Sequence, residues 1–221
     1  MKRIKLGLVI VVCMLWSGVV LADDQDRHGD HEEDFAPVAQ TGQVLSYDAN
    51  TPPRDDGALQ KGVELPTPRY ANKGNGTIKD RLTGLIWLKN ANCPGVSRQW
   101  QQALNDIVSL NTTGKMNNID CGDTSGKKGS HRKDWRLPNI RELHSLVDFA
   151  FTGPAISNAA GTGQGSSNDP FSNFGGPYWS STTVVNSSFA WLVFFGHGIV
   201  DGNDKSSLNF VLAVRNGSED D

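Results

Sequence analysis

The chain has 221 residues, of which 20% are charged, with a formal net charge of −3 and three cysteines. Removal of the basic leader described below takes the charge of the remainder to about −6, which argues against nucleic acid as a partner. The remaining length is enough for one domain with its own core, and nothing in its middle has the composition of an interdomain linker.

Met1 to Ala22 joins Lys2, Arg3 and Lys5 to an apolar run from Leu6 to Leu21, followed by Asp23. This pattern predicts a signal peptide over residues 1–22, cleaved after Ala22, and a protein exported to the periplasm or the cell exterior. The apolar run falls short of the ~18 to 20 residues that a spanning helix needs, so no membrane attachment is expected after cleavage. Residues 23–40 begin with DDQDRHGDHEED, an acidic stretch without apolar periodicity that predicts a disordered arm. His28 and His31 sit among its carboxylates without the spacing of a metal motif, which favours a solvated tail. From Ala36 to Arg69 five prolines and few apolar residues predict an extended segment lying along the domain.

Thr77 to Asp80 and Gly84 to Leu88 read as a β-hairpin, with Trp87 as a core anchor. Ser97 to Leu110 places Trp100, Ala103, Leu104, Ile107 and Val108 on one helical face, with Ser97 as the cap. Asn111 to Lys133 is read as a long loop carrying the basic cluster Lys127, Lys128, His131, Arg132 and Lys133. Asn139 followed by Glu142 is a capping box, opening a second helix from about Ile140 to Phe149; Asp134 is a candidate to tie down a neighbouring loop. Tyr178 to Thr183, Phe189 to Phe195, Gly198 to Asp201 and Leu208 to Arg215 read as antiparallel strands, and the apolar second of these as buried on both faces. Two helices with short strands and long loops make an α+β domain over residues 41–216, followed by a tail at 217–221. Cys93 and Cys121 survive cleavage, and export makes a disulfide between them the expectation.

Three blocks recur together here: DRLTGLIWLKNANC from Asp80, DWRLPNIRELHSLVD from Asp134, and YWSSTT from Tyr178 followed by FAWLVFF and FVLAVR. That ordered set resembles the Lcl C-terminal domain family, named for the C-terminal domain of a bacterial collagen-like adhesin. The resemblance spans roughly Thr41 to Arg215. It implies a C-type-lectin-like fold related to the sulfatase-modifying factors, with two helices packed on antiparallel sheet and a ligand surface on the loops near the final strands.

Asp201, Asn203 and Asp204 concentrate side-chain oxygens suited to Ca²⁺ or to sugar hydroxyls, although the same residues suit a polar hairpin turn. No EPN or WND triplet is present, which argues against the calcium-dependent sugar site of C-type lectins. Trp179 offers a stacking face or core mass, and His197, in a Gly-His-Gly turn, adjoins the acidic segment. Lys127, Lys128, Arg132 and Lys133 offer a route to polyanions. The oxidase chemistry of the sulfatase-modifying relatives needs a later cysteine pair, and no cysteine follows Cys121. The expectation is a secreted or periplasmic binding module for a glycan or polyanionic polysaccharide, with Ca²⁺ as a candidate ion. The rival is a cell-envelope module that binds a surface protein without catalysing anything.

Overall fold

The computed structural model describes residues 38–218. The expected signal peptide, His28 and His31 lie outside the described residues, as does all of the acidic arm except residues 38–40. Within those three residues, Ala39 bridges Val63 and the Gln40 N–H donates to the Val63 carbonyl.

In chain order the elements are a short helix α1 (Asp56–Leu59), β1 (Tyr70–Asn72), β2 (Thr77–Asp80), β3 (Ile86–Leu88), α2 (Trp100–Thr113), β4 (Lys115–Met116) and β5 (Ile119–Asp120). After a 3₁₀ turn at Lys127–Gly129 come α3 (Ile140–His144), β6 (Pro177–Thr183), β7 (Phe189–Phe194), β8 (Ile199–Asp204) and β9 (Val214–Arg215). One sheet has the order β1-β2-β3-β9, a second β6-β7-β8, and β4-β5 is a two-stranded ribbon. Every strand pair is antiparallel, so the fold is α+β as expected.

The inner strands lie between two cores, and the alternation of side chains along a strand decides which residue enters which. In β3, Trp87 faces a cluster containing Tyr70, Phe171, Tyr178 and Val193. Its neighbours Ile86 and Leu88 face a second cluster with Ile107, Leu110, Trp179 and Leu192. In the closing segment Leu212 and Val214 join the first cluster, Val211 and Ala213 the second. Burial on both sides is why these segments read as continuous apolar runs. For β7 this holds in the middle only: Ala190, Leu192 and Val193 are buried, whereas Phe189 and Phe194 at its ends are 41% and 38% exposed.

Helix α2 starts later than expected. Its cap is Gln99 rather than Ser97, and the Gln102 side chain accepts the Gln99 N–H at 3.1 Å. The buried face is also rotated: Val108 is 64% exposed, and Asp106 is buried in its stead. The cause is Arg98, whose Nε lies 2.7 Å from Asp106 and draws that carboxylate inward. The region after α2 is less of a loop than expected. Asn117 and Asn118, both at positive φ, make the tight turn of the β4-β5 ribbon, and the Cys93–Cys121 disulfide pins it, with a Cα separation of 5.3 Å.

The capping box of α3 is present: Asn139 accepts from the Arg141 and Glu142 amides, and Glu142 accepts the Asn139 N–H. The helix nonetheless ends at His144 instead of continuing to Phe149. The amides that would extend it are taken elsewhere, Asp148 by the Ala155 carbonyl and Phe149 by that of Thr41. Strand β8 is longer than expected, reaching Asp204, while the strand expected from Leu208 shrinks to β9 and isolated bridges at Asn209 and Phe210.

Candidate functional site

The segment Asp201 to Asp204 is neither a loop nor a turn. It is ladder, with Leu192 opposite Asp201, Ala190 opposite Asn203 and Phe189 opposite Asp204. Alternation then separates the cluster of oxygens: Asp201 and Asn203 share a face with Leu192 and Phe194, and Asp204 points to the other. On its side Asp204 is occupied, accepting from Ser188 Oγ at 2.8 Å and from the Ser206 amide and hydroxyl at 2.8 and 2.7 Å. Those bonds hold its carboxyl below the ordinary carboxylate range. Among the described residues no group of three or more His, Cys, Asp or Glu side chains is arranged to hold a metal.

The face bearing Asp201 and Asn203 contains a trough of about 350 Å³, lined by Pro177, Leu192, Phe194, Ile199, Asp201, Gly202, Asn203 and Asn209. Asn209 comes from the far side of the sheet. Its amide and carbonyl pair with Arg98, and the next residue runs beside β6, with the Phe210 N–H donating to Pro177 and its carbonyl accepting from Trp179. The trough therefore crosses β6, β7 and β8 from Asn209 at one end to Asp201 and Asn203 at the other.

Asn209 is 2% exposed, and its Nδ2 has no hydrogen-bond partner among the described residues. A buried donor left unpaired costs about 1 to 3 kcal/mol, so each case calls for a reason. Other buried polar atoms lack partners, among them Trp87 Nε1 and Asn92 Oδ1. Neither of those two residues lines a cavity described above or below, whereas Asn209 does.

Phe194 also forms a wall of a neighbouring cavity of about 470 Å³, bounded by Pro154, Gln164, Ser166, Phe174, Gly176 and Gly196 among others. Gly196 and Gly176 allow aromatic rings to lie on the backbone: a Cβ on either would run into Phe194 or Phe210 respectively. Behind Phe194 stands His197, edge-on at 5.8 Å between ring centroids, its Nδ1 2.8 Å from the Gly196 carbonyl oxygen and 3.3 Å from Thr152 Oγ1. His197 is exposed and lines neither cavity; it backs the aromatic wall.

Trp179 is fully buried, and its Nε1 donates to the Arg98 carbonyl at 2.8 Å, so it is core and not a stacking surface. In the basic segment Lys127, Lys128 and Lys133 are exposed, while Arg132 Nε donates to the Ser125 carbonyl. The loop is organised by buried Asp123, which accepts from the Arg132 amide and from Trp135 Nε1, both at 2.8 Å; Asp134, expected in that role, is exposed.

Helix α2 keeps the basic loop and the trough apart. The Trp100 amide donates to Lys205, next to β8, whereas the Asn111 carbonyl meets His131. The rise between those residues is about 16 Å, twice the ~8 Å screening length at physiological ionic strength. The structure thus brings Asp201 and Asn203 together with Asn209 and Phe194, which sequence reading missed. It leaves Asp204, Trp179, His197 and the lysines outside. One signal for Asn209 was present: it is an amide interrupting the apolar run from Leu208 to Val214. Residues 76–215 match the model of the Lcl C-terminal domain, and no curated protein matches the chain.

Proposed function

The chain belongs to the Lcl C-terminal domain family, and from that premise we propose that it is an exported binding module, lectin-like in fold and in use, that recognises a glycan on the trough crossing β6, β7 and β8. Export rests on the leader pattern of residues 1–22, and the lectin-like fold on the family resemblance together with the α+β architecture. The observation that carries the reading is the pairing of an unpartnered, buried amide at Asn209 with exposed Asp201, half-buried Asn203 and an aromatic wall at Phe194. Donors and acceptors around an apolar floor are what a ring with hydroxyl edges and C–H faces requires.

The test is binding of the exported chain to a broad glycan and glycosaminoglycan array, with calcium or chelator, at two salt concentrations. Reproducible binding that Asn209→Leu abolishes supports the reading; silence from folded, disulfide-intact protein overturns it. One feature favours a second reading, a module that docks a cell-surface protein. β8 is an edge strand, with Ile199 and Val200 48% and 37% exposed, and such edges pair with other chains. Salt-insensitive capture of an exported protein, with no glycan hit, would select that alternative.

A further inference from the structure

We propose that the ligand of this trough is an uncharged oligosaccharide of two or more rings, lying across the strands with its apolar face on Pro177, Leu192 and Phe194 and its hydroxyl groups at the two polar ends. This rests on the glycan reading above and narrows it.

Length comes from the sheet. From the strand-like segment at Asn209 to β8 the trough spans three strand spacings, since Phe210 pairs beside β6, β6 with β7 and β7 with β8. At about 4.8 Å each this is roughly 14 Å, more than a single pyranose covers. Polarity is distributed along that length: an amide at one end, a carboxylate and a second amide at the other, and carbon between them. A monosaccharide would satisfy one end and leave the other to water. The cavity on the far side of Phe194, walled by Phe174, Gln164 and Ser166, offers room for the chain to continue.

Charge comes from the lining. Among the described residues, neither cavity is lined by a lysine, arginine or histidine, and Asp201 is the one ionisable residue in either wall. A sulfate or carboxylate on the ligand would be desolvated beside a like charge with no counter-ion. The basic loop that carries the exposed lysines meets the opposite end of α2, two screening lengths of helix rise away in physiological salt. Asn209 brings a neutral amide to the trough, which a hydroxyl or an acetamido group satisfies without any anion.

The experiment is calorimetric titration of the exported chain with neutral series of one to six rings, β-1,4-linked N-acetylglucosamine and glucose and α-1,4-linked glucose, against heparin oligosaccharides of matched length. The expected result is affinity that climbs at least tenfold from one ring to three in a neutral series and is unchanged between 0.05 and 1 M NaCl. Phe194→Ala and Asn209→Leu should each cost tenfold or more, and the triple variant K127E/K128E/K133E nothing. Phe194 is exposed, so its variant remains informative even if Asn209→Leu fails to fold. Heparin binding that the trough variants abolish would keep the glycan site and overturn its uncharged character. A flat length dependence would overturn the multi-ring ligand, and neutral binding that survives both trough variants would overturn the location. If neither these series nor the broad array binds, the glycan reading falls and this inference with it.

Discussion

Two buried polar groups in this protein are treated in opposite ways. Arg69 and Asp80 are 1% and 0% exposed, and the protein completes the bonding of that carboxylate. Asp80 accepts from Arg69 Nε at 2.8 Å, Arg69 Nη2 at 3.2 Å, the Leu82 amide at 2.9 Å and Thr83 Oγ1 at 2.8 Å, and Arg69 Nη2 also reaches the Ser145 carbonyl. Asn209 is as deeply buried, yet its Nδ2 is left without a partner at the edge of a trough. The first arrangement fastens the β2-β3 hairpin to α3 from within; the second leaves a donor unbonded in a residue that lines a trough. Burial alone does not distinguish a fastener from a socket; a missing hydrogen bond in a residue that also lines a cavity does.

The contrast can be broken most directly at the fastener. Arg69→Met leaves Asp80 charged and unpaired in the interior and should cost about 3 to 5 kcal/mol. Arg69→Met combined with Asp80→Leu should be the milder lesion, because it removes the stranded charge. Urea melts of the two variants decide it, and a single variant as stable as the double would mean that Asp80 is not held by its ion pair. Next in size is the Cys93–Cys121 bridge, which spans 28 positions. Replacing both cysteines by alanine should cost about 3.5 kcal/mol in the chain-entropy model, read as an earlier midpoint in the same melts. Neither cysteine lines the trough, so affinity for ligand at a temperature where the variant is folded should be unchanged.

The legibility of these features follows the range of the interactions that make them. The capping box of α3, the β2-β3 hairpin and the apolar strands could be read from the chain because each is decided within a few residues. The rotated face of α2 could not be, since it turns on Arg98 reaching eight positions along to Asp106. The shortened α3 could not be either, because Thr41, over a hundred positions away, takes the Phe149 amide. For the site, Asp201 and Asn203 were recognisable as oxygen-rich. Their separation from Asp204 needed the strand that carries all three, and their union with Asn209 needed the crossing of the sheet.

At the socket the expected effects on stability are smaller and opposite in sign. Asn209→Leu fills the same space without a donor to satisfy, so it should be neutral or gain up to about 1 kcal/mol, while ligand binding falls at least tenfold. A loss of stability would mean that Nδ2 bonds within the folded protein, and the contrast with Asp80 would lapse.

Asp148 lies between the two extremes and should show the smallest effect. It is 4% exposed and accepts the Ala150 amide at 3.0 Å, and Gly42, at φ +89°, packs so closely that a Cβ there would collide with the carboxylate. Burial raises its pKa above the ordinary 3.8, against the opposing pull of the Ala150 amide and Arg69. A carboxyl raised on folding binds its proton more tightly in the native state than in the unfolded one. Its contribution is therefore favourable below pH 3.8 and is lost as pH climbs from there through the folded value. Asp148→Asn keeps the shape and cannot ionise, so it should match the wild type near pH 3 and exceed it at pH 7. Melts at pH 3, 5 and 7 measure the difference. If the wild type instead gained on the variant as pH rose, Asp148 would belong with Asp80 as a satisfied charge.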